Sequence, residues 1–119
     1  MVLVDTSVWV DHFRAGVPRL AKLLESGEVF IHPFIIGELA CGRMTNRAEI
    51  LDLLRTLPHA RSAAHDEVMQ FVEDRKLMGR GLGYVDIHII ASALLSSCPI
   101  WTNDDPLRAA CEQLGVNTR

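Results

Sequence analysis

Four acidic residues lie beside apolar segments, where a carboxylate is costly to place. They are Asp5 after "VLV", Glu38 in "FIIGELA", Asp86 in "YVDIHIIA" and Asp104 in "IWTND". An unpaired buried carboxylate usually neutralises or finds a partner. Taken together, four acids in such positions favour a shared site.

Each acid also has an ordinary structural explanation when it is considered alone. Asp5 can be the N-cap of a following helix, and Asp104 or Asp105 can cap the last helix. Asp86 fits the acidic position of a capping box and complements the helix dipole. Glu38 is the hardest to explain, because it lies in the middle of a predicted helix among apolar residues.

A cluster of carboxylates predicts a particular chemistry. Like charges a few ångströms apart raise the pKa of at least one member, and a divalent cation relieves the repulsion. All-oxygen ligands suit Mg²⁺, with Mn²⁺ as a substitute. Mg²⁺ typically uses one or two carboxylates, waters and substrate phosphate oxygens. Such an ion activates water, which suits phosphodiester hydrolysis.

The elements that must position these acids alternate between short strands and helices. The pattern predicts strands at 1–5, 28–32, 99–102 and 116–118, and helices from Thr6 or Ser7 through Phe13 and at 18–27, 33–43, 46–57, 66–78, 85–97 and 105–115. This alternation is typical of an α/β domain with a mainly parallel sheet, and we expect one domain over 1–119. Ligand sites in such sheets lie at the carboxyl ends of the strands, where Asp5 and Asp104 are expected.

Composition narrows the class of protein. The chain has 119 residues, a net charge of -3 and 23% charged residues, so it lacks the basic footprint of a protein that coats nucleic acid. A polyanion must therefore be held by bound cations or by a local basic patch. No apolar run is long enough to span a membrane, and the start does not resemble a signal peptide. We expect a cytoplasmic protein.

The cysteines and histidines predict no metal or disulfide chemistry. The three cysteines (Cys41, Cys98 and Cys111) are odd in number, widely spaced and without a CxxC pair, so we expect buried, reduced thiols. The five histidines lack metal-ligand spacing and are expected to be structural or surface groups. Basic candidates for phosphate contacts are Arg43, Arg47, Arg75, Lys76 and Arg80.

The acidic blocks resemble a known family. "VLVDTSVW" at the start, "GE" at 37–38, "YVDIHIIASA" at 84–93 and "WTNDDPL" at 101–107 are similar, in order, to the four acidic blocks of PIN-domain nucleases. The short length and "GRGLGYVD" resemble VapC-type toxins of bacterial toxin–antitoxin pairs. The resemblance covers nearly the whole chain and implies a three-layer α/β/α sandwich.

The resemblance also assigns roles to residues. It implies that Asp5, Glu38, Asp86 and Asp104 are catalytic acids, that the three aspartates bind the metal, and that Thr6 and Thr102 support them. The family pattern Thr-x-Asp selects Asp104 over its neighbour Asp105. Many relatives carry Ser or Thr three residues before the third acid, where this chain has Gly83.

We therefore expect a Mg²⁺-dependent endoribonuclease that is the toxin of a type II toxin–antitoxin system, with an RNA substrate and a cognate antitoxin. A homodimer is expected from the resemblance and from the apolar residues of the helices at 46–57 and 66–78. One alternative is a haloacid-dehalogenase-type phosphatase with Asp5 as nucleophile, which Ser7 disfavours because that chemistry needs a second Asp there. The other is a catalytically inactive PIN-fold binding module.

Overall fold

Three short parallel strands form the centre of the structure, a computed structural model that describes residues 1–119. They are β1 (Val2–Val4), β2 (Val29–Phe30) and β3 (Ile100–Trp101), in the spatial order β2-β1-β3. Leu3 of the central strand pairs with Phe30 on one side and with Ile100 on the other. The strand order therefore reverses at β1, and all three carboxyl ends lie at one edge of the sheet.

Seven helices surround this sheet. They are α1 (Thr6–Ala15), α2 (Pro18–Glu25), α3 (Pro33–Cys41), α4 (Arg47–Thr56), α5 (His65–Arg75), α6 (Tyr84–Ser96) and α7 (Asp105–Leu114). Proline stands at the start of α2, α3 and α7, where its fixed φ suits the first helical turn and its missing N–H costs nothing. The expected α/β sandwich with a parallel sheet is confirmed.

Burial explains why β1 and α6 occupy the centre. All three residues of β1 are apolar and fully buried, as in a strand covered on both faces. Every residue from Ile87 to Ala93 in α6 is buried as well, so this helix lies in the centre of the fold. Most of the buried apolar side chains join one continuous core, and this core fixes the ends of β1 and α6 that carry Asp5 and Asp86.

All predicted helices and three of the four predicted strands appear, with small differences at their ends. The strands are shorter than predicted, and the predicted strand at 116–118 is only a single bridge between Thr118 and Ile100. Cys41 is exposed at the end of α3, so the expectation that all three thiols are buried is wrong for it. No helix has the length and apolarity that a membrane span needs.

Candidate active site

Asp5 lies directly after β1, and its side chain is almost completely buried. It occupies the N-cap position of α1, yet its carboxylate makes no capping hydrogen bond. Instead, Oδ2 accepts hydrogen bonds of 2.8 Å from the hydroxyls of Ser7 and Thr102. The capping explanation for Asp5 is therefore wrong, and two hydroxyl groups hold this carboxylate in place.

The same two hydroxyls also fix the turn that follows β3. Thr102 Oγ1 accepts a hydrogen bond of 3.0 Å from the backbone N–H of Asp104. Ser7 Oγ accepts one of 3.0 Å from the backbone N–H of Asn103. Each hydroxyl thus donates to Asp5 and accepts from this turn, so the position of Asp104 is coupled to that of Asp5.

Asp104 is the N-cap of α7, as its ordinary explanation predicts. Its Oδ2 accepts a hydrogen bond of 2.9 Å from the backbone N–H of Leu107. Its neighbour Asp105 has a side chain that is 93% exposed and pairs with Arg108 at 3.2 Å. Of the two adjacent acids, Asp104 is the one tied to the hydroxyl network around Asp5.

Asp86 lies in the first turn of α6, where its Oδ2 accepts a hydrogen bond of 2.9 Å from the backbone N–H of Gly83. Burial raises the pKa of Asp86 most strongly, and the charges of Asp5, Asp104 and Glu38 raise it further, while the Gly83 N–H lowers it. Since three acids from three other elements act on this carboxyl group, the fold brings all four predicted acids into one electrostatic environment.

Glu38 is exposed on α3, contrary to what its apolar neighbours in the sequence suggest. Ile35, Ile36 and Leu39 face the core instead. Glu38 Oε1 accepts a hydrogen bond of 2.6 Å from Thr6 Oγ1. Thr6 therefore fixes Glu38 at the surface of the site, and the charge of Glu38 is not buried.

The three aspartates share a feature that suits an ion. In each, only Oδ2 bonds to the protein, which leaves Oδ1 for an outside ligand. The buried side-chain atoms without a partner lie on other residues, namely Trp9, His32, His88 and Ser92, so Oδ1 of Asp5 is not sealed in the core. An oxygen donor set of this kind fits Mg²⁺ or Mn²⁺.

No three His, Cys, Asp or Glu side chains converge closely enough to ligate one ion together. This spacing agrees with the habit of Mg²⁺ to use one or two carboxylates and to complete its shell with waters and phosphate oxygens. One ion would therefore be contacted directly by at most two of Asp5, Asp86 and Asp104. Besides burial, the charges of Asp5, Asp104 and Glu38 raise the pKa of Asp86, and the same negative charges would attract a cation.

Ser7 has a role that was not predicted from the sequence. The sequence suggested that Ser7 begins a helix and that it is the wrong residue for a phosphatase, whereas its hydroxyl donates a hydrogen bond to Asp5. The signal was a hydroxyl two residues after a strand-end carboxylate, a spacing at which a side chain reaches back locally. Thr6 and Thr102, which were expected to support the acids, contact Glu38 and Asp5 respectively.

The basic candidates do not gather at one place. Arg43 lies beside Glu38 in the loop after α3, and Arg47 donates a hydrogen bond to the carbonyl of Ala40. Arg80 donates to the side chain of Gln113. The two others, Arg75 and Lys76, lie at the exposed end of α5. Only Arg43 of this set lines the surface next to a predicted acid.

Two buried histidines have structural positions, as expected. His32 Nδ1 accepts a hydrogen bond of 3.0 Å from the backbone N–H of Phe34 and so caps α3. The ring of His88 packs edge-on against Phe34 and Tyr84, at 4.6 Å between ring centroids in both cases. Burial lowers the pKa of both histidines, so neither adds positive charge to the acidic site at neutral pH.

Comparison with known proteins shows the family of this chain. The family model described as PIN domain matches residues 2–113. The chain is 47% identical over 117 residues to Ribonuclease VapC32 of Mycobacterium tuberculosis, in two strains, covering 98% of this chain and 94% of the relative.

Two solved structures share the fold. PAE2754 from Pyrobaculum aerophilum has a TM-score of 0.64 at 20% identity, covering 98% of this chain and 82% of that one. FitAcB from Neisseria gonorrhoeae has a TM-score of 0.66 at 19% identity, covering 99% and 96%. With a family match over nearly its whole length and a relative at 47% identity, the chain belongs to the PIN-domain family and is a VapC-type member of it.

Proposed function

We propose that this chain is a Mg²⁺-dependent endoribonuclease, with Mn²⁺ as a substitute ion, and the toxin of a toxin–antitoxin pair. The observation that supports this most directly is the shared arrangement of Asp5, Asp86 and Asp104, which each bond the protein through one oxygen and leave the other for a ligand. The relative at 47% identity is a ribonuclease by name, which supports RNA as the substrate.

In this proposal one or two of the three aspartates would contact the ion, and Glu38 completes the acidic site. Bound Mg²⁺ supplies charge neutralisation and a lowered pKa for water. The exposed carboxylate of Glu38, oriented by Thr6, accepts the proton of the attacking water. The hydroxyls of Ser7 and Thr102 keep Asp5 fixed while charge builds on the phosphate. Water adds to phosphorus, and the bond to the leaving ribose oxygen breaks.

The phosphatase alternative has weaker support. A phosphatase with Asp5 as its nucleophile needs a second acid two residues later as proton donor. Ser7 stands at that position and donates its own hydroxyl hydrogen to Asp5. The inactive binding module is disfavoured because the hydroxyl network keeps the acids in place, which binding alone does not require.

The proposal is tested by incubating the purified chain with a random-sequence RNA pool and Mg²⁺, Mn²⁺ or a chelator. Cleavage is expected only with metal, and is expected to be lost in Asp5→Asn, Glu38→Gln, Asp86→Asn and Asp104→Asn. Asp105→Asn is the matched control, since that acid faces solvent, and it should cleave normally. Normal cleavage in all four variants would refute the site, and a wild-type chain that binds RNA without cutting it would be a binding module.

An antitoxin partner follows from the same chemistry. A free ribonuclease damages its host, and an arginine of an inhibitor fits the acidic site, since its guanidinium is always charged and binds carboxylates in bidentate fashion. FitAcB, which shares the fold, offers a structural neighbour for comparison. Growth arrest is expected when the chain is expressed without the product of the short reading frame beside its gene. An Arg→Ala change in the protein encoded by that reading frame should restore RNA cleavage. A chain that is harmless alone and binds no neighbour product is not a toxin.

We also propose a homodimer. Large apolar side chains remain exposed on the two helices that suggested it, with Leu53 of α4 at 59% and Met69 of α5 at 44%. Exposed apolar surface of this kind is typical of protein contacts, and two-fold pairing is the commonest assembly of soluble proteins.

A further inference from the structure

A cleft of about 570 Å³ opens beside the acidic site, between α1, α3 and the loop before α4. We call it the α1 cleft; its wall on α1 is formed by Thr6, Val10, Phe13 and Arg14. These residues follow the spacing of one helical face. The cleft begins at the hydrogen bond between Thr6 and Glu38 and runs about 12 Å along the helix to Arg14.

The wall of this cleft on α1 combines apolar side chains with a positively charged one. Val10 is 49% exposed, and Phe13 lies half-buried against the core. Arg14 pairs with Asp11 at 3.0 Å but keeps 76% of its side chain exposed to solvent. The guanidinium of Arg43, also in the cleft, belongs to none of the three ion pairs of the structure. Two arginines thus line a cleft that begins at the acidic site.

We propose that the α1 cleft binds one nucleobase of the RNA next to the scissile phosphate, with Arg14 and Arg43 on its flanking phosphates. This inference rests on the proposed ribonuclease function and deepens it. Bases bind proteins through their apolar faces, while arginines hold the backbone. The volume lies within the roughly 300–1,000 Å³ range of small-ligand sites, enough for a nucleotide.

The charge of the α1 cleft favours RNA over the other possible ligand, which is an inhibitory protein segment. A segment that neutralises the acids must carry positive charge, and Arg14 and Arg43 repel it as it passes. A polyanion has the opposite preference, because both arginines attract its phosphates. Continuity with Glu38 places the bound base directly beside the reacting phosphate.

The test uses an oligoribonucleotide selected from a random pool by wild-type cleavage. Each base near the cut is replaced in turn by an abasic ribonucleotide, and kcat/KM is measured. The abasic replacement at one flanking position should lower kcat/KM roughly tenfold or more, which is the effect of losing one stacked base. Val10→Asp places a negative charge on the α1 wall of the cleft, so KM for the intact RNA should rise by a similar factor. In this variant the abasic replacement at the same position should cause no further loss of kcat/KM.

The arginines are tested separately through salt. Arg14→Gln combined with Arg43→Gln should weaken RNA binding and flatten its dependence on salt by about one unit of slope for each phosphate that is no longer neutralised. Arg55→Gln is the matched control for Arg14→Gln, since Arg55 pairs with Asp52 at 2.9 Å with the same helical spacing and lies outside the cleft. Equal melting temperatures of all variants exclude misfolding.

The outcomes separate this inference from the proposed function. Suppose that the wild type cleaves RNA and Asp5→Asn does not. If no abasic replacement then lowers kcat/KM, or if Val10→Asp has the KM of the wild type, the α1 cleft is not a base site. If Val10→Asp weakens only antitoxin binding, the cleft belongs to the partner protein and the inference is wrong. If no RNA is cleaved at all, the ribonuclease proposal itself fails and the base site fails with it.

Discussion

The hydroxyl of Thr102 donates a hydrogen bond of 2.8 Å to Asp5 Oδ2 and so joins the ends of β3 and β1 across 97 positions of sequence. Thr102 Oγ1 itself accepts a hydrogen bond from the backbone N–H of Asp104. Thr102 is fully buried, which means that water cannot replace it. One side chain therefore orients two of the four acids.

Replacing Thr102 by valine should lower cleavage and stability together. Thr102→Val keeps the shape but leaves the Asp104 N–H without its acceptor and Asp5 with only one hydroxyl donor. The loss of such hydrogen bonds costs roughly 1–3 kcal/mol, and the same energy in the activation barrier corresponds to about fivefold to 150-fold in rate. Denaturant unfolding and steady-state cleavage measure the two effects. Thr102→Ser, which keeps the hydroxyl, should recover most of the rate; failure to do so would show that the methyl group matters instead.

Metal binding should stabilise the folded chain. Repulsion among the four acids is relieved by a cation, and a ligand at about 100 times its Kd adds about 2.7 kcal/mol, or roughly 10 °C in melting temperature for a domain of this size. Thermal unfolding with and without millimolar Mn²⁺ measures this. Asp5→Asn should show a smaller shift and Asp105→Asn the full one. A melting curve that metal does not move would count against the ion site.

Acidification should destabilise the chain through His32. Burial, followed by the charges of His88 and His59, lowers the pKa of His32 to about 4 from 6.5. Between these two pKa values the unfolded state binds the proton more readily than the folded state. The contribution of His32 to the free energy of unfolding is therefore fully present above pH 6.5 and is lost as the pH decreases towards 4. The loss from this residue between pH 7 and pH 5 is about 2 kcal/mol.

His32→Asn provides the matched comparison for this pH effect. Asparagine is a good N-cap, so it preserves the acceptor for the Phe34 N–H while it removes the titrating ring. Urea unfolding at pH 5 and pH 7 should show a smaller difference in the variant than in the wild type. Equal differences in the two proteins would show that His32 does not govern the acid sensitivity.

The assembly is measured by light scattering. A homodimer has twice the 13.2 kDa mass of one chain and should persist at micromolar concentration. Leu53→Glu, at the most exposed of the large apolar side chains, is expected to shift the equilibrium towards the monomer if α4 lies in the interface. A wild-type monomer across the micromolar range would exclude the dimer.

The sequence by itself determined the order of the elements and the candidate acids. Strand and helix signals are local, since they depend on apolar spacing and on residues such as Pro33 that start a helix. The placement of Asp5 and Asp104 at strand ends followed from the same signals, because parallel strands bring their carboxyl ends to one edge. These local rules account for the correct prediction of a parallel α/β fold.

Only the tertiary structure decided what each acid contacts. Asp5 is bonded by Thr102 because β3 packs directly against β1, and sheet order is a long-range property that no local pattern encodes. Glu38 faces solvent and Thr6 because packing against the core fixes the rotation of α3, although its sequence neighbours suggested burial. The α1 cleft arises in the same way, from the relative positions of three elements. Packing selects these contacts by burying the largest apolar area, and the polar groups then bond to whatever neighbours that arrangement provides.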